Sequence, residues 1–148
     1  MKRILFFVAF IFINVASFGQ ILTPVKWSYA SKQINDKETV LLLKATIEDS
    51  WHIYSQTVPK EGPEPTSFSF YPSKAYELNG KTNAPNPIID YDPTFDMEVG
   101  YYENTVVFQQ RVKLIDHSPT VKGTLTYMVC NDEQCLPPEE VTFNIPVN

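Results

Sequence analysis

The chain has 148 residues, with 12 Lys+Arg against 17 Asp+Glu, a formal charge of −5 and two cysteines. Nucleic acid is disfavoured as a partner, because phosphate binding needs a basic surface that this composition does not supply. The length suits one domain that can fold on its own core without a disulfide framework.

Residues 1 to 19 begin with Lys2 and Arg3, continue through an apolar run from Ile4 to Ile13, and end in the small residues Ser17 and Gly19. This is the pattern of a secretory signal peptide, with cleavage expected before Gln20. The apolar run is too short for a membrane span of about 20 residues, so the mature chain is expected to be soluble and without a spanning segment. No cysteine stands at the cleavage position, and no lipid anchor is expected there. Cleavage removes two basic residues and no acidic one, leaving 10 against 17 and a formal charge of −7. Export places the protein in the periplasm, or outside the cell as the alternative, where a disulfide can form and persist.

Residues 20 to 148 read as all-β. Trp27 to Ala30 forms a first strand after a short apolar lead-in, and Asn35-Asp36-Lys37 turns the chain. Thr39 to Ile47 puts Leu41, Leu43, Ala45 and Ile47 on one face and Val40 and Leu42 on the other, the pattern of an interior strand. Trp51 to Tyr54 is a short strand, and the proline-rich stretch from Pro59 to Pro65 is a loop. Strand patterns resume at Ser67 to Tyr71 and at Ala75 to Leu78. From Gly80 to Pro93 the density of Asn, Pro and Asp predicts irregular chain. Thr105 to Leu114 alternates apolar and polar residues, and Asp116 to Pro119 turns the chain into a strand running from Val121 to Val129. A last strand carries Val141, Phe143, Ile145 and Val147. Short strands, regular turn signals and no helical periodicity predict a single antiparallel β-sandwich of immunoglobulin-like type, with a small barrel as the competing architecture.

Both cysteines lie where the last two strands fold back on each other. Cys130 and Cys135 flank a four-residue spacer with a turn-prone Asn131-Asp132 pair, so the thiols face each other at the neck of a hairpin, and a disulfide is allowed. Two readings of such a pair stand side by side. A loop this short gains only about 2 kcal/mol from its cross-link, so a bond made and broken in thiol-disulfide exchange is a better candidate than a staple. The other reading is a non-catalytic immunoglobulin-like binding module with a structural disulfide. Asp132 and Glu133 inside the loop, with Glu139 and Glu140 after it, disfavour a thiolate and raise the thiol pKa, which suits a relay that depends on its partner better than a general oxidant. A zinc or copper site built on the cysteines with a His, Met97 or Met128 lacks a second Cys pair or a His-x-His element, and no metal or other cofactor is expected.

The segment Tyr127 to Glu140, with its Tyr-x-x-Cys start, short spacer, second Cys and Pro-Pro-Glu tail, resembles the N-terminal periplasmic domain of the DsbD thiol:disulfide interchange family. Trp51 to Tyr54 and an acidic segment ending in Gly100 are also similar. The resemblance implies an immunoglobulin-like sandwich in which Cys130 and Cys135 are the catalytic redox pair, exchanging electrons with thioredoxin-like partner proteins. It further implies that the segment from Asp96 to Tyr102 forms a cap loop over that pair, with Phe95, Asp96, Glu98, Tyr101 and Tyr102 as its candidate residues and Asp132 and Glu133 modulating from the hairpin. The transmembrane and thioredoxin-like domains of the family are not found in this chain, which implies a separate membrane protein as electron donor.

Overall fold

The computed structural model describes residues 22 to 147. The expected signal peptide, residues 1 to 19, lies outside them. Eleven strands and no helix make up the described residues, and every strand pairing is antiparallel. No helix among them is long and apolar enough to cross a membrane.

Three sheets wrap a shared core. The first is ordered β1 (Val25–Asn35), β2 (Glu38–Ile47), β8 (Thr105–Leu114) and β5 (Tyr76–Asn83). The second is ordered β11 (Glu139–Pro146), β9 (Thr120–Tyr127) and β4 (Ser67–Phe70). Period-two patterning decides which side chains enter the layer between them. Leu41, Leu43, Ala45 and Ile47 of β2 and Val106, Phe108 and Val112 of β8 are buried together with Val121, Leu125, Phe143 and Ile145 of the facing sheet. Each large side chain of this set contributes about 1.5 to 3 kcal/mol by leaving water. Trp27 spans the two layers, with its ring 5.9 Å from Phe108 on one side and 6.2 Å from Phe68 on the other. Gly123 sits opposite Phe143 in the ladder. A Cβ there would meet the Ser69 carbonyl oxygen and come within 2.6 Å of the Phe143 ring. Only glycine lets the ring lie flat across that strand.

The third sheet is ordered β10 (Val129–Cys130), β3 (His52–Tyr54), β7 (Met97–Glu103) and β6 (Ile88–Asp92). It closes one end of the sandwich, with Ile53, Tyr102 and Val129 turned into the main core. The sheets stay separate rather than closing into a barrel, and the immunoglobulin-like sandwich holds.

Three expectations need correction. The stretch from Gly80 to Pro93 is not irregular: it holds the end of β5 and all of β6. In β5 the register shifts between Asn79 and Asn83. Buried Gln110 supports the bulge, donating to the Gly80 carbonyl at 3.2 Å and accepting from the Thr82 hydroxyl at 2.9 Å. β6 is an edge strand, where prolines just ahead of it and aspartates within it are tolerated. Likewise, the segment from Asp96 to Tyr102, expected as a cap loop, is mostly strand. The chain turns tightly between β6 and β7, with Asp96 at φ 56°, and Met97–Glu103 is a strand paired on both sides. Lastly, the run from Val121 to Val129 is broken at Met128, where the chain leaves the second sheet and joins the third as β10.

Candidate functional site

The ladder of the third sheet dictates what meets what. Cys130 lies opposite His52, and His52 lies opposite Glu103. Residues directly opposite share a face, so Cys130, His52 and Glu103 form one row across three strands. The next row on that face is Tyr54, Tyr101 and Ile88. Alternation along β7 and β6 adds Val99, Asp90 and Asp92 to the same side. Of these, Cys130, His52, Glu103, Tyr101, Val99, Asp90 and Asp92 line, with Asp132, a cleft of about 180 Å³.

Cys130 and Cys135 are joined in a disulfide with a Cα–Cα distance of 4.1 Å, across an isolated antiparallel bridge. The loop between them is held by its own first residue. Asn131 donates its N–H to the Gln134 carbonyl at 2.9 Å, and its side-chain oxygen accepts from Glu133 N–H at 2.9 Å and Gln134 N–H at 2.8 Å. The Leu136 N–H donates to the Val129 carbonyl at 2.9 Å and closes the neck. An asparagine in this role builds the turn without help from the sulfurs. The two sulfur-bearing residues differ in access: Cys130 is 2% exposed, while Cys135 is half-buried.

Cys130 belongs to a small apolar cluster with Tyr54 and Val99, onto which Phe95, Met97, Tyr101 and Cys135 pack. Phe95 meets Tyr54 edge-on at 5.8 Å. Of the expected cap residues, Phe95 and Tyr101 are therefore at the cysteines. Tyr102 points the opposite way, packing on Phe108 and donating its hydroxyl to the Pro85 carbonyl at 2.9 Å. Asp96 accepts a hydrogen bond from the Tyr91 hydroxyl at the hairpin tip, and exposed Glu98 sits opposite Tyr91; neither lines the cleft. Asp132 lines the cleft rim, and Glu133 is exposed in the loop.

Sequence reasoning missed the polar group beneath these residues. The Tyr54 hydroxyl, fully buried, donates to Asp92 Oδ2 at 2.7 Å. His52 Nε2 lies 3.4 Å from the same hydroxyl, and the His52 ring sits between those of Tyr54 and Tyr101, 5.2 and 4.9 Å away. Burial would raise the Asp92 carboxyl, but the Tyr54 hydroxyl and the backbone N–H groups of Thr94 and Phe95 hold it below its ordinary range. Burial and the Asp92 hydrogen bond push the Tyr54 phenol far up. Burial lowers His52 against the upward pull of Asp92, Glu103 and Asp132. Asp92 fell in the stretch expected to be irregular, and only the alternation of Ile88, Asp90 and Asp92 in β6 would have placed it on this face.

A family profile described as "Thiol:disulfide interchange protein DsbD, N-terminal" matches residues 20–146. Among solved structures, the reduced DsbD N-terminal domain of Neisseria meningitidis is similar at 17% identity over 81% of this chain and 85% of that one, with a TM-score of 0.56. A structure of the complex between the DsbD and PilB N-terminal domains of Neisseria meningitidis matches at 16% identity over 85% of this chain and 88% of that one, with a TM-score of 0.56. The N-terminal periplasmic domain of ScsB from Proteus mirabilis matches at 16% identity and a TM-score of 0.55, over 81% of this chain but 44% of that one. Likeness at this level of identity speaks for the fold. No curated protein sequence matches the chain.

Proposed function

The chain belongs to the DsbD N-terminal domain family, and from that membership we propose that it performs thiol-disulfide exchange through Cys130 and Cys135. The observation that carries this reading is the unequal access of the two bonded cysteines: Cys135 is half-buried, and Cys130 is 2% exposed. A thiolate from a docked partner attacks the Cys135 sulfur, forming a mixed disulfide, and the bond breaks toward Cys130, which leaves as a thiolate and takes up a proton. The partner's second thiol then displaces Cys135. The partner departs as a disulfide, and the chain has gained two electrons and two protons. The same steps in reverse pass them on.

The partner class in this reading is thioredoxin-like proteins, with a separate membrane protein supplying electrons. A relative from Neisseria meningitidis forms a complex with the PilB N-terminal domain, which supports exchange with a partner domain. Residues 20 to 148 act as one exported domain in the periplasm. Phe95 and Tyr101 shield the sulfurs until a partner displaces them, while Asp132 and Glu133 keep the reduced pair as thiols. Replacing Cys130 by Ser leaves Cys135 unable to be released by its neighbour. This variant is expected to accumulate a mixed disulfide with a thioredoxin-like protein in the exported compartment. A potential below about −300 mV with nothing trapped would sink the relay and leave a binding module with a structural bond.

A further inference from the structure

We propose that His52 is the proton-transfer residue of the pair: it takes the proton of Cys130 when that thiol resolves a mixed disulfide on Cys135, and returns it when the disulfide is opened. The inference rests on the exchange reading above and adds the group that moves the proton.

Three observations carry it. The first is the need for a base. Reduced Cys130 must lose its proton to attack, yet its residue is almost fully buried and shares its cleft with Asp90, Asp92, Glu103 and Asp132. Burial and like charge both oppose a thiolate there. The second is placement. His52 stands directly across the ladder from Cys130, on the same face, with both side chains lining the cleft. Opposite pairs have Cβ atoms about 5 Å apart, within reach of an imidazole and a thiol.

The third is the proton count of the Asp92, Tyr54 and His52 chain. Tyr54 has one hydroxyl proton, and it goes to Asp92 at 2.7 Å. The Tyr54 oxygen is then left to accept, and His52 Nε2 is the nitrogen that faces it, at 3.4 Å. An N–H on Nε2 leaves Nδ1 bare, so the neutral ring is a base with one defined open nitrogen. Tyr54 and Asp92 are positioning residues in this arrangement. The groups facing His52 are Cys130 and Asp132 from the hairpin, Glu103 and Tyr101 from β7, Asp92 and Asp90 from β6, and Tyr54 on its own strand. Burial outweighs the carboxylates and keeps the ring below 6.5, hence neutral and ready to accept at neutral pH. In the resolving step the Cys130 S–H proton passes to His52, the Cys130 sulfur bonds to that of Cys135, and the partner's sulfur leaves as a thiolate with the electron pair.

The test uses the reduced chain and dithiobis-nitrobenzoate, which releases one coloured thiolate when Cys135 attacks and a second when Cys130 resolves the mixed disulfide. The readout is the rate constant of the second release taken by itself, from about pH 5 to about pH 8. For the unaltered chain this constant should rise with pH and level off through an inflection below 6.5. In His52→Gln the inflection should vanish and the constant at neutral pH should fall about 10²-fold, the low end of general-base contributions. Tyr54→Phe, which keeps the ring packing, should lower the constant severalfold and move the inflection. An unaltered chain with no inflection below 6.5 would overturn the proposal, whether or not either variant folds. So would a His52→Gln constant that matches the unaltered chain at every pH. If the exchange reading itself fails, a thioredoxin-like dithiol does not reduce the oxidised chain, a measurement independent of the second release, which separates the two outcomes.

Discussion

Opening the Cys130–Cys135 bond should cost the fold little. The two residues are separated by 5 in sequence, and closing so short a ring removes about 2 kcal/mol of unfolded-chain entropy. A domain of about 130 residues unfolds with an entropy near 0.27 kcal/mol/K, so the loss corresponds to about 7 °C in Tm. In the folded state Asn131 holds the loop, and β9 and β11 pair from Thr120 opposite Pro146 to Tyr127 opposite Glu139 without the bond. By linkage, the same 2 kcal/mol is how much folding favours the oxidised pair, a shift of only about 45 mV in its potential. The assay is thermal unfolding followed by circular dichroism, comparing the oxidised chain with the chain held reduced by excess dithiol. A cooperative transition lowered by about 7 °C supports the calculation. A drop of more than about 20 °C, or the loss of a cooperative transition, would refute it and make the bridge a structural staple.

Other expectations follow from the same geometry. Tyr54→Phe strips buried Asp92 of its hydroxyl donor and should cost about 1 to 3 kcal/mol in urea unfolding. Asp92 titrates below its unfolded value of 3.8, so its contribution is present above that pH and lost as pH falls through the folded value. Tm should therefore decline on acidification below about pH 4, and the decline should be shallower in Tyr54→Phe. Gly123→Ala forces a methyl against Ser69 and Phe143 and should destabilise by about 3 kcal/mol or prevent folding, read by the same unfolding curve. Replacing Phe95 by Ala should speed the reaction of the reduced pair with a small disulfide; an unchanged rate would remove it from the shielding role.

The legible part of this chain was its apolar alternation. Leu41 to Ile47 and Thr105 to Leu114 each declared a strand and an inward face, and the first an interior position as well, because burying every second residue is a strong local constraint. The cysteine hairpin was legible for the same reason, with strand patterns on both sides of a turn-forming asparagine. The strands β6 and β7 were not. Their outer face carries Asp90, Asp92, Tyr101 and Glu103, which build a cleft rather than a core, so polar composition hid the period of two. The His52 row was equally silent, since which residues stand opposite each other is set by pairing with strands far off in sequence. Tyr102 illustrates the limit: nothing local shows that it faces Phe108 while Tyr101 faces the cysteines.

The unequal exposure of Cys130 and Cys135 would set a kinetic rule for the proposed exchange. On the proposed exchange reading, a protein delivering electrons and a protein collecting them would both attack Cys135, the more exposed of the two cysteines, and could not occupy it together. Turnover is then double displacement: one visitor must leave before the next arrives, and an excess of either slows the traffic of the other.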